Sequence, residues 1–442
     1  MTNLNDLWKG GRGMAGKKSS KPDWYRIDNA GVLYSALQSD TYSAVYRFSA
    51  VMTEQVDPEA LQRAVDKTMP RFPSFNVRIK KGLFWYYFEP EQRPGPFVQR
   101  DINNPCMPIR FYDDDSRLVR FYYYDHRISI ECFHAVSDGV GSLFFFKTLL
   151  AVYLGELGHQ IPCEKGILNV NDPPRREELE DSYLKYATVK PIRGKWEKTA
   201  YPAGGTPEEF YTLNVTMGLV PLDQLRDKAH SYGVSVTEYL TAAYIHVLLE
   251  RQKMTHPHKP KPVALVVPID LRAWFPSETL RNFILTVRPS IDPALGEYSF
   301  PEIASQVHHY MRLNICRQSM QGRFVANVNF TRHPVLKFVP AVIKDFAMSL
   351  SYKMVGVRPY SSTYTNPGAF KVPKEMEPHI KRMEVMLGQP FGSRVNCASI
   401  SYGNQMAITF AGTIRESDIE GGFFRFLVKE GLPVRVESNR PY

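Results

Sequence analysis

Phe133-His134-Ala135-Val136-Ser137-Asp138-Gly139 joins two segments of different pattern. Before it, Leu118 to Tyr124 and Ile128 to Phe133 read as strands rich in β-branched and aromatic residues, with Asp125-His126-Arg127 as the turn between them. After it, Gly141 to Leu154 reads as a helix, with Leu143, Phe144, Lys147, Thr148, Leu150 and Ala151 in one compact run. The order is strand, short loop, helix. A histidine at the end of a strand is held by the strand and left at the rim of a cleft by the loop. His134 is the candidate catalytic group. Asp138, four residues on, sets the loop geometry. Gly139 is expected to turn the backbone where a side chain would obstruct it.

Working outward, Ala44 to Val51 reads as a strand, and Asp57-Pro58-Glu59 as a capped helix start with Leu61, Val65 and Met69 on the buried stripe. Val77–Lys81 and Leu83–Phe88 read as a hairpin around Lys81-Gly82. Residues 160–210 hold Asp172-Pro173-Pro174 and Pro202-Ala203-Gly204-Gly205 and read as a surface crossover. A second α/β half follows. Pro221 to His230 is expected to be helical, and Ser235-Val236-Thr237-Glu238 opens a helix through Glu250 with an S-x-x-E cap. Val263 to Ile269 is a continuous apolar run, so a buried strand. Pro301 to Cys316, Val335 to Leu350 and Ser417 to Lys429 read as helices. Cys397–Tyr402 and Gln405–Ala411 pair across Gly403-Asn404. The expected division is a basic arm over 1–22, an N-terminal lobe over 23–160, a crossover over 161–210 and a C-terminal lobe over 211–442.

The 442 residues suit two large lobes. Hydrophobic residues make up 43% and charged residues 23%, which excludes global disorder. No run of 18 apolar residues appears, so a membrane span is not expected; the longest apolar helical stretch read from sequence is Val335 to Leu350. Five scattered cysteines without C-x-x-C suggest neither a disulfide framework nor a zinc cluster. No apolar leader is seen at the N-terminus, and the expected location is cytoplasmic. Of the net +10, the first 22 residues carry +4, through Lys9, Arg12, Lys17, Lys18 and Lys21 against Asp6. That is too little by itself to assign a membrane or an acidic partner. No nucleic-acid signature accompanies it.

The 133–139 segment resembles the H-H-x-x-x-D-G motif of the chloramphenicol acetyltransferase-like superfamily. That superfamily includes peptide-synthetase condensation domains, plant H-x-x-x-D acyltransferases and carnitine acyltransferases. The likeness covers nearly everything from Asp23 onward. Trp24-Tyr25-Arg26-Ile27-Asp28-Asn29-Ala30-Gly31 looks most like bacterial alcohol acetyltransferase-like proteins. Pro268-Ile269-Asp270-Leu271-Arg272 and Leu280-Arg281-Asn282-Phe283 are similar to the superfamily segment with a strand-end Arg and an N-F pair. Tyr364-Thr365-Asn366-Pro367-Gly368 looks like its S-N-x-G stretch. Two departures stand out. Phe133 replaces the first motif His, which argues against a standard condensation domain. The plant D-F-G-W-G motif is absent, and Gln389-Pro390-Phe391-Gly392 matches it poorly.

The resemblance implies an α/β, two-lobed chloramphenicol acetyltransferase-like fold with mixed sheets flanked by helices and an active-site tunnel between the lobes. It implies that His134, with Asp138 and Gly139, serves acyl transfer from a thioester to an alcohol, His134 being the general base. Asp138 would pair with an Arg of the other half, Arg272 first and Arg281 second. Asn366 and Asn282 would line the substrate site. The co-substrate would be acetyl-CoA or another acyl-CoA, with no bound cofactor and no metal. An acidic carrier protein as donor, or a binding protein that keeps the fold without turnover, are the competing readings. Neither nucleic acid nor a membrane span is implied. Other features carry less. His256-Pro257-His258 and His308-His309 lack further ligands at metal-site spacing. Gly139-Val140-Gly141 lacks the G-K-[ST] ending of a phosphate loop, and no G-x-S-x-G elbow surrounds Ser137 or Ser142.

Overall fold

The computed structural model describes residues 24–440 except 38, 40–41, 111–115, 193–196, 210–211, 332–337, 352–357 and 390–391. The arm over 1–22, the Asp113–Asp115 turn and the Val335–Lys337 start of an expected helix lie outside the described residues. Among the described residues there are three sheets with helices on them. A small antiparallel sheet runs β1 (Tyr25–Arg26), β4 (Tyr86–Pro90), β3 (Val77–Lys81). A five-stranded sheet has the order β13 (Ile380–Leu387), β2 (Val45–Met52), β7 (Arg127–Phe133), β6 (Val119–Tyr124), β5 (Val98–Arg100). The large sheet runs β10 (Ile284–Val287), β9 (Val263–Asp270), β12 (Ser362–Thr365), β14 (Val395–Tyr402), β15 (Gln405–Gly412), β8 (Asn214–Pro221), β16 (Arg435–Ser438), with β11 (Ser290–Ile291) also on β9. Parallel pairs β5–β6, β9–β12 and β12–β14 among antiparallel neighbours make the sheets mixed. This is the two-lobed α/β architecture that the resemblance implies.

The helices are α1 (Asn29–Leu37), α2 (Pro58–Thr68), α3 (Gly139–Glu156), α4 (Ser182–Tyr186), α5 (Leu222–Ser231), α6 (Val236–Thr255), α7 (Phe300–Asn314), α8 (Arg317–Thr331), α9 (Ala341–Ser351) and α10 (Asp418–Lys429). Their starts follow local chemistry. Asp57 caps α2 by accepting from Glu59 N at 2.9 Å and Ala60 N at 3.2 Å, with Pro58 in the first turn, where its missing N–H costs nothing. Ser235 and Glu238 cap α6 reciprocally at 3.3 and 2.7 Å.

Among the described residues, α3 is long and apolar enough by length and composition to cross a membrane; the stretch read as Val335 to Leu350 begins outside them. In the fold α3 is a core helix packed on α2, and Phe145, Phe146, Leu149 and Leu150 are fully buried. The Phe145 ring stacks on Phe75 at 4.7 Å and meets Phe72 edge-on at 5.0 Å. Each such side chain contributes about 1.5–3 kcal/mol on burial.

The two halves are knitted together. Strand β13, late in the chain, completes the sheet built by residues 45–133 through its pairing with β2. The 161–210 stretch, read from sequence as surface, carries Glu178, buried and bonded through both oxygens to Arg71 at 2.6 and 2.7 Å, and Tyr183 and Tyr201 are buried too. Polar charge in a crossover is therefore used for anchoring as well as solvation.

Candidate active site

Strand β7 ends at Phe133, and the next backbone N–H, of His134, donates to Ala44 O at 2.8 Å. The strand thus fixes the histidine backbone. Its half-buried imidazole is sandwiched by rings: Tyr34 of α1 stacks on it at 4.3 Å and 19°, and Tyr46 of β2 meets it edge-on at 5.0 Å. The third contact is Asn282, whose Oδ1 lies 3.2 Å from His134 Nδ1.

That contact sets the tautomer. Asn282 is 1% exposed. Its Nδ2 donates to His134 O at 2.9 Å and faces Ala135 O at 3.5 Å and both oxygens of Asp28 at 3.4 and 3.5 Å. Turning the amide over would place its oxygen against four acceptors. The amide oxygen must therefore face the ring, and Nδ1–H donates to it. Nε2 is left with the lone pair, and a neutral ring with a basic Nε2 is chemically able to accept a proton. Burial lowers the His134 pKa below 6.5, with Asp138 the main opposing influence, so the ring is neutral at pH 7.

Asp138 is fully buried and accepts four hydrogen bonds. Two come from backbone, Gly141 N to Oδ1 at 2.9 Å and Phe283 N to Oδ2 at 2.8 Å. Two come from Arg272, Nη1 to Oδ2 at 2.9 Å and Nη2 to Oδ1 at 3.3 Å. The first caps α3 and the others reach across to the second half of the chain. Arg272 also donates to Thr279 O, Arg281 O and Asp270 Oδ1. Burial disfavours the charged guanidinium, but Asp138 and then Asp270 outweigh it and raise its pKa. With every bond of its carboxylate directed at Gly141 N, Phe283 N and the Arg272 fork, Asp138 ties the loop to the second half of the chain.

The structure separates the other expected residues. Arg281 does not reach Asp138; it lies 3.6 Å from Asp28 and donates to Arg26 O at 2.8 Å. Asn282, expected on the substrate, holds the histidine. Asn366 closes a turn by accepting from Gly368 N at 2.9 Å and donates to Thr237 Oγ1 at 3.1 Å. Gly139 is not sterically required: a Cβ there would meet Phe48 at 3.7 Å and Pro367 at 4.0 Å, ordinary contact. The demand falls two residues on, where a Cβ on Gly141 would sit 2.1 Å from Leu280 O and 2.3 Å from Ser137 Oγ. Ser137 Oγ itself donates to Leu280 O at 2.6 Å, so the loop lies directly against the backbone of the second half. Gly141→Ala should therefore lower the thermal midpoint by several degrees, whereas Gly139→Ala should leave it within about a degree. A melting experiment in which both variants match the parent would discount this contact.

Sequence reasoning missed Asp28, Tyr34 and Tyr46. Asp28 is 1% exposed, bonds Gly31 N at 2.8 Å, and has its pKa pushed up to about 6 by burial, with Arg281 opposing. Its helix-cap position just before α1 was readable; its meeting with residue 282 was not. Tyr46 donates to Ser137 O at 2.9 Å and pairs with Ser142 Oγ at 2.6 Å, stiffening the loop from below.

A cavity of about 690 Å³ lies elsewhere, lined by Arg47, Asp101, Arg117, Arg120, Tyr122 and Thr212 among others. Tyr46 meets His134, and its neighbour Arg47 projects from the opposite face of the sheet, so this cavity is not the expected tunnel.

No protein-family model matches the chain, and no curated protein matches it in sequence. Solved structures do match in fold. Polyketide synthase associated protein 5 from Mycobacterium tuberculosis is 16% identical, over 91% of this chain and 96% of that one, at a TM-score of 0.61. The first condensation domain of the CDA synthetase is 13% identical, over 92% and 96%, at 0.58. TRI3 trichothecene 15-O-acetyltransferase from Fusarium sporotrichioides is 10% identical, over 92% and 93%, at 0.57. The chain therefore has the fold shared by chloramphenicol acetyltransferase-like acetyltransferases and condensation domains. The likeness gives no preference for the alcohol acetyltransferase branch.

Proposed function

We propose that the protein is an acyltransferase that moves an acyl group from a thioester to a nucleophilic acceptor by direct attack. The observation that carries this is the neutral His134, its Nδ1 tied to Asn282 and Nε2 left basic, on a loop clamped by Arg272. In the step, Nε2 accepts the acceptor's proton as its oxygen or nitrogen attacks the thioester carbonyl. A tetrahedral intermediate forms, and its collapse breaks the C–S bond. The proton on Nε2 passes to the departing thiolate. Nothing is oxidised or reduced. Two substrates meeting in a tunnel between the lobes would supply the proximity term.

Two donors fit. The likeness to a polyketide synthase associated protein and to condensation domains supports a carrier-protein thioester. The likeness to an O-acetyltransferase supports acyl-CoA and an alcohol. We favour the carrier-bound donor, since carrier-linked systems recur among the similar structures. Phe133 in place of a first motif His sets the chain apart from a standard condensation domain. Acceptor-dependent release of free thiol is the test, run with acyl-pantetheine on a carrier protein and with acyl-CoA over a panel of alcohols and amines. Faster release from the carrier, weakened by salt, is the expected result. Faster release from CoA would assign the alternative donor. Tight acyl-thioester binding with no release from either would leave a binding protein that has kept the fold.

A further inference from the structure

Four consecutive residues of the second half, Leu280 to Phe283, each serve the motif loop or the groups around it. Leu280 O accepts from Ser137 Oγ at 2.6 Å, and Phe283 N donates to Asp138 at 2.8 Å. Asn282 meets the imidazole at 3.2 Å. Arg281 turns instead to Asp28, its Nη2 3.6 Å from Oδ2. Both members of this pair are buried, at 6% and 1% exposure. The same Nη2 donates to Arg26 O at 2.8 Å, so the guanidinium clasps the segment that leads into α1. A buried ion pair is costly to build, and this one stands beside the candidate base.

Asp28 makes two sets of contacts, and each leads to His134. The first is a helix cap. Oδ1 accepts from Gly31 N at 2.8 Å, and the backbone O accepts from Val32 N at 3.0 Å, which starts α1. The capped turn lies against the motif loop: a Cβ on Gly31 would sit 3.0 Å from Ala135 O and 2.4 Å from Ile27 Cγ2. One turn further on, Tyr34 stacks on the imidazole at 4.3 Å. The second set is to Asn282, whose Nδ2 faces the two carboxylate oxygens at 3.5 and 3.4 Å. With a pKa pushed up to about 6 by burial, Asp28 is ionised at pH 7 and can only accept. It therefore favours the amide orientation that turns Oδ1 to the ring. Tyr34, Tyr46 and Asn282 hold the imidazole, and one carboxylate sets two of the three.

We propose that Asp28 is a positioning residue for the base. It orients the Asn282 amide and seats Tyr34, and so fixes both the tautomer and the plane of the His134 ring. Asp138 anchors the loop through Arg272; Asp28 anchors the ring with Arg281 behind it. This rests on His134 being the base of the acyl transfer proposed above.

Three substitutions separate the two sets of contacts. Asp28→Asn keeps an acceptor for Gly31 N and for Asn282. Asp28→Ser is a good helix cap but too short to reach Asn282. Asp28→Ala loses both. Measured per folded molecule, kcat should fall in the order parent, Asn, Ser, Ala, to about 10²-fold below the parent at Ala, with KM little changed. Imidazole nitrogen NMR shifts, assigned by the resonance missing from His134→Ala, read the tautomer without turnover. The parent and Asp28→Asn should show Nδ1–H alone, and Asp28→Ser a mixture. Asp28→Ser with parental kcat and a single tautomer would overturn the proposal, as would Asp28→Asn no better than Asp28→Ser. If Asp28→Ala does not fold, the Ser and Asn variants decide. If the parent transfers no acyl group, the proposed function falls by itself. The tautomer then decides for Asp28: a mixture in Asp28→Ser upholds its part, and a single form overturns it.

Discussion

His134→Ala should lower kcat by about 10²–10⁴-fold, the usual worth of a positioned general base, and leave the protein folded. The fold survives because the strand-end hydrogen bond to Ala44 is made by the backbone N–H, which alanine keeps. What is lost in packing is a ring against Tyr34 and Tyr46, about 0.5–1.5 kcal/mol per pair. The pH profile gives the same test without a mutation. Burial lowers the pKa of His134, so the neutral base persists below 6.5, and kcat/KM should hold from neutral pH to below 6.5 before it falls. Asn282 favours the protonated ring by its hydrogen bond. Asn282→Ala should therefore move the acid limb further to acid, and should lower kcat by releasing the tautomer. Asp28, with a pKa of about 6, titrates in the same window; Asp28→Asn removes that component and leaves the histidine limb alone. A His134→Ala enzyme with parental turnover, or an acid limb above 6.5, would refute the assignment of the base.

Why some of this was readable and some not is a matter of range. The strand, loop and helix around His134 are local: β7 alternates, Asp138 caps α3, and an Asp-Pro or Ser-x-x-Glu start announces α2 and α6. Strand β13 was not readable because Lys381, Arg382 and Glu384 interrupt its apolar pattern. The fold satisfies them, Arg382 with Glu437 at 2.7 Å and Glu384 with Arg127 at 3.3 Å, and those partners come from distant strands. Helix α8 was missed for a similar reason. Gly322, Val325, Asn327, Val328 and Asn329 weaken its helical propensity, and burial of Met320, Phe324, Val325 and Val328 offsets that cost. The pairing of Asp138 with an Arg of the second half came from resemblance alone. The Asn282–Asp28 support of the imidazole spans 254 residues and has no local signature. Gly139 drew attention through the motif, while the position that geometry requires to be glycine is Gly141, because what it must avoid is the distant carbonyl of Leu280.

Arg272→Ala should destabilise the chain by about 3–5 kcal/mol, because it strands a buried carboxylate. Asp138 would keep its bonds to Gly141 N and Phe283 N but lose the only cation on it among the described residues. Arg272→Lys should rescue little. A single ammonium cannot reproduce a fork that serves Asp138 and also the carbonyls of Thr279 and Arg281. Asp138→Asn is the converse case. It keeps one acceptor but turns an NH₂ toward Arg272 and toward either Gly141 N–H or Phe283 N–H, donor against donor, and should cost somewhat less. The double variant Arg272→Ala with Asp138→Asn distinguishes a specific pair from two independent losses. If the carboxylate and guanidinium act on each other, its cost should fall well short of the sum of the singles, read from thermal or denaturant melting. Turnover of the folded fraction carries the functional half of the argument. Asp138 is fixed to the same loop as His134 and to the segment that presents Asn282. Cutting that tie should lower kcat even in protein that remains folded, and should do so more than it changes KM. Additive costs in the cycle, with parental kcat in the folded fraction, would show that the pair neither locks the loop nor positions the base.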